Sequence, residues 1–202
     1  PSLFNHFEDV RKKGGGESGL SAVVFSGSTT NEGTLTTSLL VHRAIVESEV
    51  NDEDCNVTGL LMGQGNGILH LLEGPSDSIG RILRNLSQHE EFTKGVQTGR
   101  IIYCVEDRPE RIFPEWFSCT LQERKSSVEY VEAATANDTI FDLTVGIFEV
   151  GKILQTTPHE HVQMSKYADK LPGKNLIISC SKSDEFFELS EFVSLYTDPY
   201  NV

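Results

Sequence analysis

The stretch GILHLLEG, residues 67–74, places a histidine at the centre of an apolar run bounded by glycines. An imidazole titrates near neutral pH and can serve as an acid, a base, a metal ligand or a cofactor contact. His70 is therefore the first candidate for chemistry. A lone histidine on an apolar strand is more often a core residue whose ring nitrogens are hydrogen-bonded. The enzymatic hypothesis would pair His70, as a base, with Asp52 or Glu73.

The other candidate groups lack partners at a recognisable spacing. His42 has no nearby cysteine or aspartate, and His159 and His161 alternate on one short segment without a third ligand. We therefore predict no metal site and no catalytic set. The cysteines contain no Cys-x-x-Cys pair, which is typical of reduced thiols in a cytoplasmic protein. They are Cys55, Cys104, Cys119 and Cys180.

Composition limits the classes of partner. The formal net charge is −13 over 202 residues, and an acidic chain cannot neutralise phosphates, so we predict no nucleic-acid binding. No apolar run approaches the roughly 18 residues of a membrane span, so we predict no membrane partner. Proteins remain as the predicted partners.

Apolar periodicity predicts the elements that would position these residues. Isoleucines and leucines after residue 76 recur at the spacing of an amphipathic helix, and the glycine-rich residues 63–67 predict a hairpin turn. The resulting order β-α-β-β-α-β-β is typical of an α+β ferredoxin-like sandwich. The predicted elements are a strand at 20–27, a helix at 34–50, strands flanking 63–67, a helix at 76–89, and strands within 95–107 and 113–121.

Three segments are predicted along the chain. Residues 1–19 are polar and end in glycines, which indicates a flexible lead-in. Residues 20–125 form the sandwich domain, and 126–202 form a C-terminal extension. We expect the extension to contain a helix, a strand and a helix, at 137–154, 174–181 and 183–199. Its apolar faces would cover either the open face of the sheet or a partner.

Several motifs in residues 20–122 resemble the signature of BLUF domains, which are blue-light sensors that hold a flavin between two helices of a ferredoxin-like sandwich. The match has no gap between Ser48 and Gly74. The motifs are Asn51 and its neighbours, Thr58-Gly59-Leu60-Leu61, Leu72-Glu73-Gly74-Pro75 and Arg111-Ile112-Phe113-Pro114-Glu115-Trp116. The resemblance implies the fold of that family.

The resemblance also implies photochemical positions, and this sequence departs from them. The family's light-responsive tyrosine corresponds to Phe25, which lacks a hydroxyl, and its essential glutamine corresponds to His70. An imidazole lacks the separate carbonyl and NH₂ groups of an amide. Neither residue can therefore reproduce the hydrogen-bond changes that follow illumination in the family.

The positions that would bind the flavin depart as well. The asparagine that pairs with the flavin ring corresponds to Asp52, and the arginine that holds its polar tail corresponds to Glu91. Carboxylates thus replace an amide and a cation, and Glu91 would repel a phosphate. Ser48, Asn51 and Trp116 keep acceptable residue types.

We therefore predict a flavin-free, non-enzymatic BLUF-like module that has no bound cofactor and works as a protein-interaction or structural module. Its C-terminal helices would dock a partner or form a homodimer. The resemblance extends to divergent eukaryotic BLUF-like proteins, including a testis-expressed group, and implies an architectural or adaptor subunit of a ciliary or flagellar axoneme. The alternative is a blue-light or redox sensor that retains FAD in a cleft lined by Asn51, Asp52, His70 and Trp116.

Overall fold

The computed structural model describes residues 19–50, 55–122, 136–158 and 162–197. The strands are β1 (Leu20–Thr29), β2 (Thr58–Gln64), β3 (Gly67–Pro75), β4 (Val96–Arg108), β5 (Trp116–Leu121) and β6 (Phe187–Glu188). The helices are α1 (Glu32–Val50), α2 (Ser76–Gln88), α3 (Glu90–Gly95), α4 (Ala136–Gln155), α5 (Lys174–Lys182) and α6 (Leu189–Thr197), with a 3₁₀ turn at Met164–Tyr167. The predicted lead-in lies outside the described residues, apart from Gly19.

The six strands form one sheet in the order β5-β2-β3-β1-β4-β6. β1 pairs antiparallel with β3 and with β4, and β2 pairs antiparallel with β3. The order β2-β3-β1-β4 of the four central strands is that of a ferredoxin-like sandwich, which confirms the predicted fold class. β5 extends the sheet as a parallel neighbour of β2.

β1 and β3 lie at the centre of the sheet because they can be buried on both faces. Every residue of β1 after Leu20 is buried, and β3 is buried up to Pro75. A continuous apolar run, rather than strict alternation, is the pattern expected for a strand covered on both sides. The two strands therefore carry His70 and Phe25 into the interior.

Helices α1 and α2 cover one face of the sheet. The apolar residues of α2 fall at the predicted helical spacing, and all of them are buried against β1, β2 and β3. They are Ile79, Ile82, Leu83 and Leu86. On α1, Leu35, Leu39 and Val46 face the same layer. This side is called the α1–α2 layer below.

Helices α4 and α5 cover the opposite face. Leu143, Ile147 and Leu154 of α4 pack with Ile177 of α5 on the residues of β1, β2 and β3 that point away from α1 and α2. A side-chain hydrogen bond also links α5 to the sheet, because Ser26 Oγ of β1 donates to the carbonyl of Ile177 at 2.7 Å. The extension is therefore part of the same core as the sheet.

Two predictions for the extension are wrong. Residues 174–181 were expected to form a strand, but Lys174–Lys182 form α5. The buried residues Leu176, Ile177 and Cys180 fall on one helical face, and a short apolar run cannot distinguish helix from strand by periodicity alone. The last helix begins at Leu189 rather than at 183 because Phe187–Glu188 pair with β4 as β6.

Among the described residues, no helix is long and apolar enough to cross a lipid bilayer.

Candidate functional site

His70 lies at the centre of the sheet and points into the α1–α2 layer. It pairs with Phe25 of β1 on one side and with Leu61 of β2 on the other. Its exposure to solvent is 0%. Because side chains alternate along a strand, His70 shares this face with Ile68 and Leu72.

Two side chains bind the two ring nitrogens of His70. Trp116 Nε1 lies 3.2 Å from His70 Nε2, and His42 Nε2 lies 2.8 Å from His70 Nδ1. An indole N–H can only donate, so His70 Nε2 must accept and His70 Nδ1 carries the proton. His70 then donates to His42 Nε2, and the remaining proton of His42 is on Nδ1. The three residues form a hydrogen-bond chain that runs in one direction, from Trp116 to His42.

The hydrogen-bond chain ends inside the core. His42 is fully buried, and its Nδ1 has no hydrogen-bond partner among the described residues. Ser38, one helical turn earlier on α1, also has a buried hydroxyl for which those residues offer no partner. A buried polar group without a hydrogen bond costs about 1–3 kcal/mol. The unpaired groups of His42 and Ser38 therefore lower the stability of the folded protein at this position of α1.

Aromatic rings surround this hydrogen-bond chain. The His42 ring centre lies 5.0 Å from that of Phe92 on α3 and 6.0 Å from that of Phe25. Gly27 and Gly99 make room for Phe25, because a Cβ atom on either residue would lie 2.9 or 2.8 Å from atoms of its ring. The space beside His70 is thus filled by side chains from α1, α3 and β1.

His42 and His70 are both neutral. Burial lowers the pKa of His42 to about 3. Burial and the neighbouring His42 hold the pKa of His70 well below its ordinary value. A neutral, buried imidazole with so low a pKa is a weak general base near neutral pH.

The five described positions at which the resemblance implies a flavin site are only partly assembled. Phe25, His70 and Trp116 come together in the core. Ser48 is exposed and its hydroxyl donates to the carbonyl of Ile45 in its own helix, and Glu91 is exposed on α3. The other two positions, Asn51 and Asp52, lie outside the described residues.

These side chains do not fit a flavin ring placed against residue 70. Both nitrogens of His70 are already hydrogen-bonded to protein, and the His42 ring packs against it nearly at right angles, with ring centres 4.6 Å apart. A planar cofactor would have to displace His42 from the core. Sequence reasoning set His42 aside because it looked only for metal-ligand and catalytic spacings.

Glu73 lies on the opposite face from His70, since it is an odd number of positions, three, further along the same strand. Its buried carboxylate accepts hydrogen bonds from Arg108 Nη1 at 2.9 Å and from the backbone N–H groups of Ile112 at 3.0 Å and Phe113 at 2.8 Å. The pairing of His70 with Glu73 as a catalytic dyad is therefore wrong. Glu73 instead fixes the segment that leads into β5 and Trp116.

Arg111 completes this connection. Its guanidinium donates to the carbonyl oxygens of Glu73 at 2.8 Å and Asn56 at 2.6 Å, and to Thr58 Oγ1 at 3.0 Å. Three of the motifs that carry the BLUF resemblance thus meet in one hydrogen-bonded cluster. This cluster has a structural role, because it holds β5 beside β2 and brings Trp116 within reach of His70.

The thiols show no sign of reactivity. All four cysteines are free, and burial raises the pKa of Cys104, Cys119 and Cys180 to about 12. Within the described ranges, no group of three or more histidine, cysteine or acidic residues could hold a metal ion. His159 and His161 lie outside those ranges.

A family model described as Testis-expressed protein 47 matches residues 40–198 of the chain. The match begins within α1 and continues through α6, so it includes both helices on the far side of the sheet but not β1. The chain belongs to this family.

Solved structures similar to this chain include BLUF proteins. BlrB, a BLUF protein in its dark state, is 14% identical with a TM-score of 0.41, and the match covers 74% of this chain and 95% of BlrB. BlrP1 of Klebsiella pneumoniae is 16% identical with a TM-score of 0.43, and the match covers 70% of this chain and 36% of that one. A bacterial light-regulated adenylyl cyclase is 13% identical with a TM-score of 0.42, with 67% of this chain and 36% of the cyclase covered. The chain thus spans only about a third of the cyclase.

Proposed function

We propose that this protein is a flavin-free BLUF-like module that acts by binding other proteins and has no enzymatic activity of its own. The observation that supports this most directly is the hydrogen-bond chain from Trp116 through His70 to His42. It uses both nitrogens of the residue that the BLUF resemblance aligns with the family's essential glutamine. No nitrogen of His70 is then free for a cofactor.

The electrostatics support the same proposal. A general base needs a pKa near the working pH, whereas burial lowers the pKa of His42 to about 3. The carboxylate nearest in sequence to His70, that of Glu73, binds Arg108 and backbone amides on the other face of the sheet. These residues stabilise the fold and offer no acid–base pair to a substrate.

We further propose that the protein is an architectural or adaptor subunit of a ciliary or flagellar assembly in the cytoplasm, with protein partners that include axonemal ones. The family's name places expression in the testis, where sperm flagella are built. Exposed apolar side chains on α1 and α4, Leu40 and Phe141, offer contact surfaces for partners or for a second copy. Affinity purification from ciliated cells tests this: recovery of no axonemal protein would contradict the location and leave the flavin-free module unaffected.

The decisive test of the module itself is the visible absorbance of protein purified under flavin-rich conditions, read before and after denaturation. We expect no flavin in either spectrum. The control is a His42→Ala, His70→Gln variant of the same chain, which removes the imidazole ring that contacts residue 70 and restores an amide there. Release of near-stoichiometric flavin from the unaltered protein would overturn the proposal in favour of an FAD-binding light or redox sensor.

A further inference from the structure

A groove of about 290 Å³ runs along the start of β4. Phe25, Phe92 and Leu189 of α6 are among its lining residues, and all three are largely buried. Its volume is just below the range of pockets that enclose a drug-sized ligand. The groove therefore suits a few side chains of a larger partner better than a whole cofactor.

The groove follows the backbone edge of β4. Five consecutive residues of this strand, 96–100, line it. Side chains alternate between the two faces of a sheet, so five in a row can touch one groove only if the groove passes along the edge where N–H and C=O groups point outward. Among the described residues, a strand pairs with this edge only at Arg100 and Ile101, through β6.

The short strand β6 already pairs with part of this edge. Phe187–Glu188 pair antiparallel with Arg100 and Ile101. Arg100 holds this segment in place by donating to Asp184 Oδ1 at 3.0 Å and to the carbonyl of Phe186 at 3.2 Å. At Leu189 the chain turns into α6, so the ladder stops short of residues 96–99.

The two sides of the groove differ in chemistry. On the side of the α1–α2 layer, a strand added along residues 96–99 would meet Val96, which is partly exposed and packs on the buried layer that contains Phe25 and Phe92. On the other side it would meet Glu188 of β6. The side chain of Glu188 forms an ion pair with Arg100 of β4 and is 60% exposed. Arg100 is already matched by two carboxylates, and the whole chain carries −13. The field at this site therefore favours a cationic side chain.

We propose that the edge of β4 at residues 96–99 binds an extended peptide segment of a partner protein by strand addition. The peptide alternates an apolar side chain, directed at Val96, with a lysine or arginine directed at Glu188. In this binding mode main-chain hydrogen bonds give affinity and alternate side chains give specificity. The inference rests on the proposed function, because it gives the interaction module a contact surface.

The test uses a fluorescein-labelled peptide of alternating valine and lysine, titrated with the full chain and followed by fluorescence anisotropy. The control peptide has the same sequence with N-methyl groups on alternate amides, which removes strand pairing and keeps the charge. We expect saturable binding of the first peptide and loss of binding for the second. Equal binding of both would overturn the proposal, because charge attraction alone would then explain it.

A matched pair of variants locates the site. Thr93 lines the groove and Thr156 follows α4 outside it; both are exposed, and each hydroxyl donates to the backbone carbonyl of a residue three or four positions earlier. We expect Thr93→Trp to weaken peptide binding about tenfold or more and Thr156→Trp to leave it unchanged, with unaltered circular dichroism for both.

Three results would overturn the proposal: no saturable binding, equal effects of the two variants, or self-association of the chain that Thr93→Trp abolishes. The last would make the groove a contact between copies. None of these results bears on flavin release, so failure of this inference can be distinguished from failure of the proposed function.

Discussion

His42 Nε2 and His70 Nδ1 lie 2.8 Å apart in the core, although one residue comes from a helix and the other from the centre of a strand. Because the indole of Trp116 fixes the tautomer of His70, His42 can only accept from it. Helix α1 is therefore held against β3 by a polar contact inside an apolar layer.

Replacing His42 by alanine should destabilise the protein by about 3 kcal/mol, since it leaves a cavity and an unpaired N–H on His70. Urea unfolding followed by circular dichroism measures the free energy of unfolding. The control is Arg43→Ala on the exposed side of the same helix, where the lost pair with Glu47 is solvated and should contribute under about 0.5 kcal/mol. Equal losses for both variants would refute the role of His42.

Stability should fall as the pH drops below the ordinary histidine pKa of 6.5. Burial depresses the pKa of both histidines in the folded state, so below 6.5 the unfolded chain binds protons that the folded chain does not. Each histidine then contributes a loss of about 1.4 kcal/mol per pH unit, which continues toward a pKa of about 3 for His42. A His42→Gln, His70→Gln variant should show a shallower dependence in urea unfolding between pH 7.5 and 5.5, and an unchanged slope would contradict the assignment.

Glu73→Ala should cost about 3–5 kcal/mol, because it removes one partner of a buried ion pair and strands two backbone N–H groups. Glu73→Gln should cost less, since its amide oxygen can still accept from Ile112 or Phe113. Chemical denaturation compares both with Glu110→Gln, a carboxylate-to-amide change at an exposed position. A stability of Glu73→Ala within about 0.5 kcal/mol of the unaltered protein would exclude the structural role.

Gly146→Ala should destabilise the protein by about 2 kcal/mol despite the better helix propensity of alanine. A Cβ atom at Gly146 would lie 2.0 Å from the backbone carbonyl oxygen of Lys170, which cannot rotate away. Gly173→Ala is the control, because the nearest atom to its added Cβ would be 3.9 Å away. Thermal unfolding of the two variants compares them directly, and equal midpoints would contradict the close packing of α4.

Periodicity was sufficient to predict the sandwich and the first helix of the extension, α4, but not the element at 174–181. The stripe of α2 and the glycines of the β2–β3 turn have strong local signals, so the sequence predicted those elements. The run around Ile177 reads equally well as strand or helix, and only its packing on Ser26 and the sheet decides for the helix.

The site shows the same division between local and distant information. His42 continues the buried stripe of Leu35, Leu39 and Val46 on α1, which is a signal that could have identified it as a core residue. Its hydrogen bond to His70 joins residues 28 positions apart. A short-range sequence pattern cannot predict a contact over that separation. The BLUF resemblance drew attention to His70 and Trp116, which the structure brings into contact, but it could not supply a partner that comes from α1.

Trp116 is the only tryptophan of the chain, and its N–H points at His70. Intrinsic emission excited in the indole band therefore reports on a single position, where β5 meets the polar chain. Any event that pulls β5 away, moves α1 or charges His70 changes the surroundings of that one fluorophore. The protein thus contains its own optical probe of the core, without a label and without a mutation.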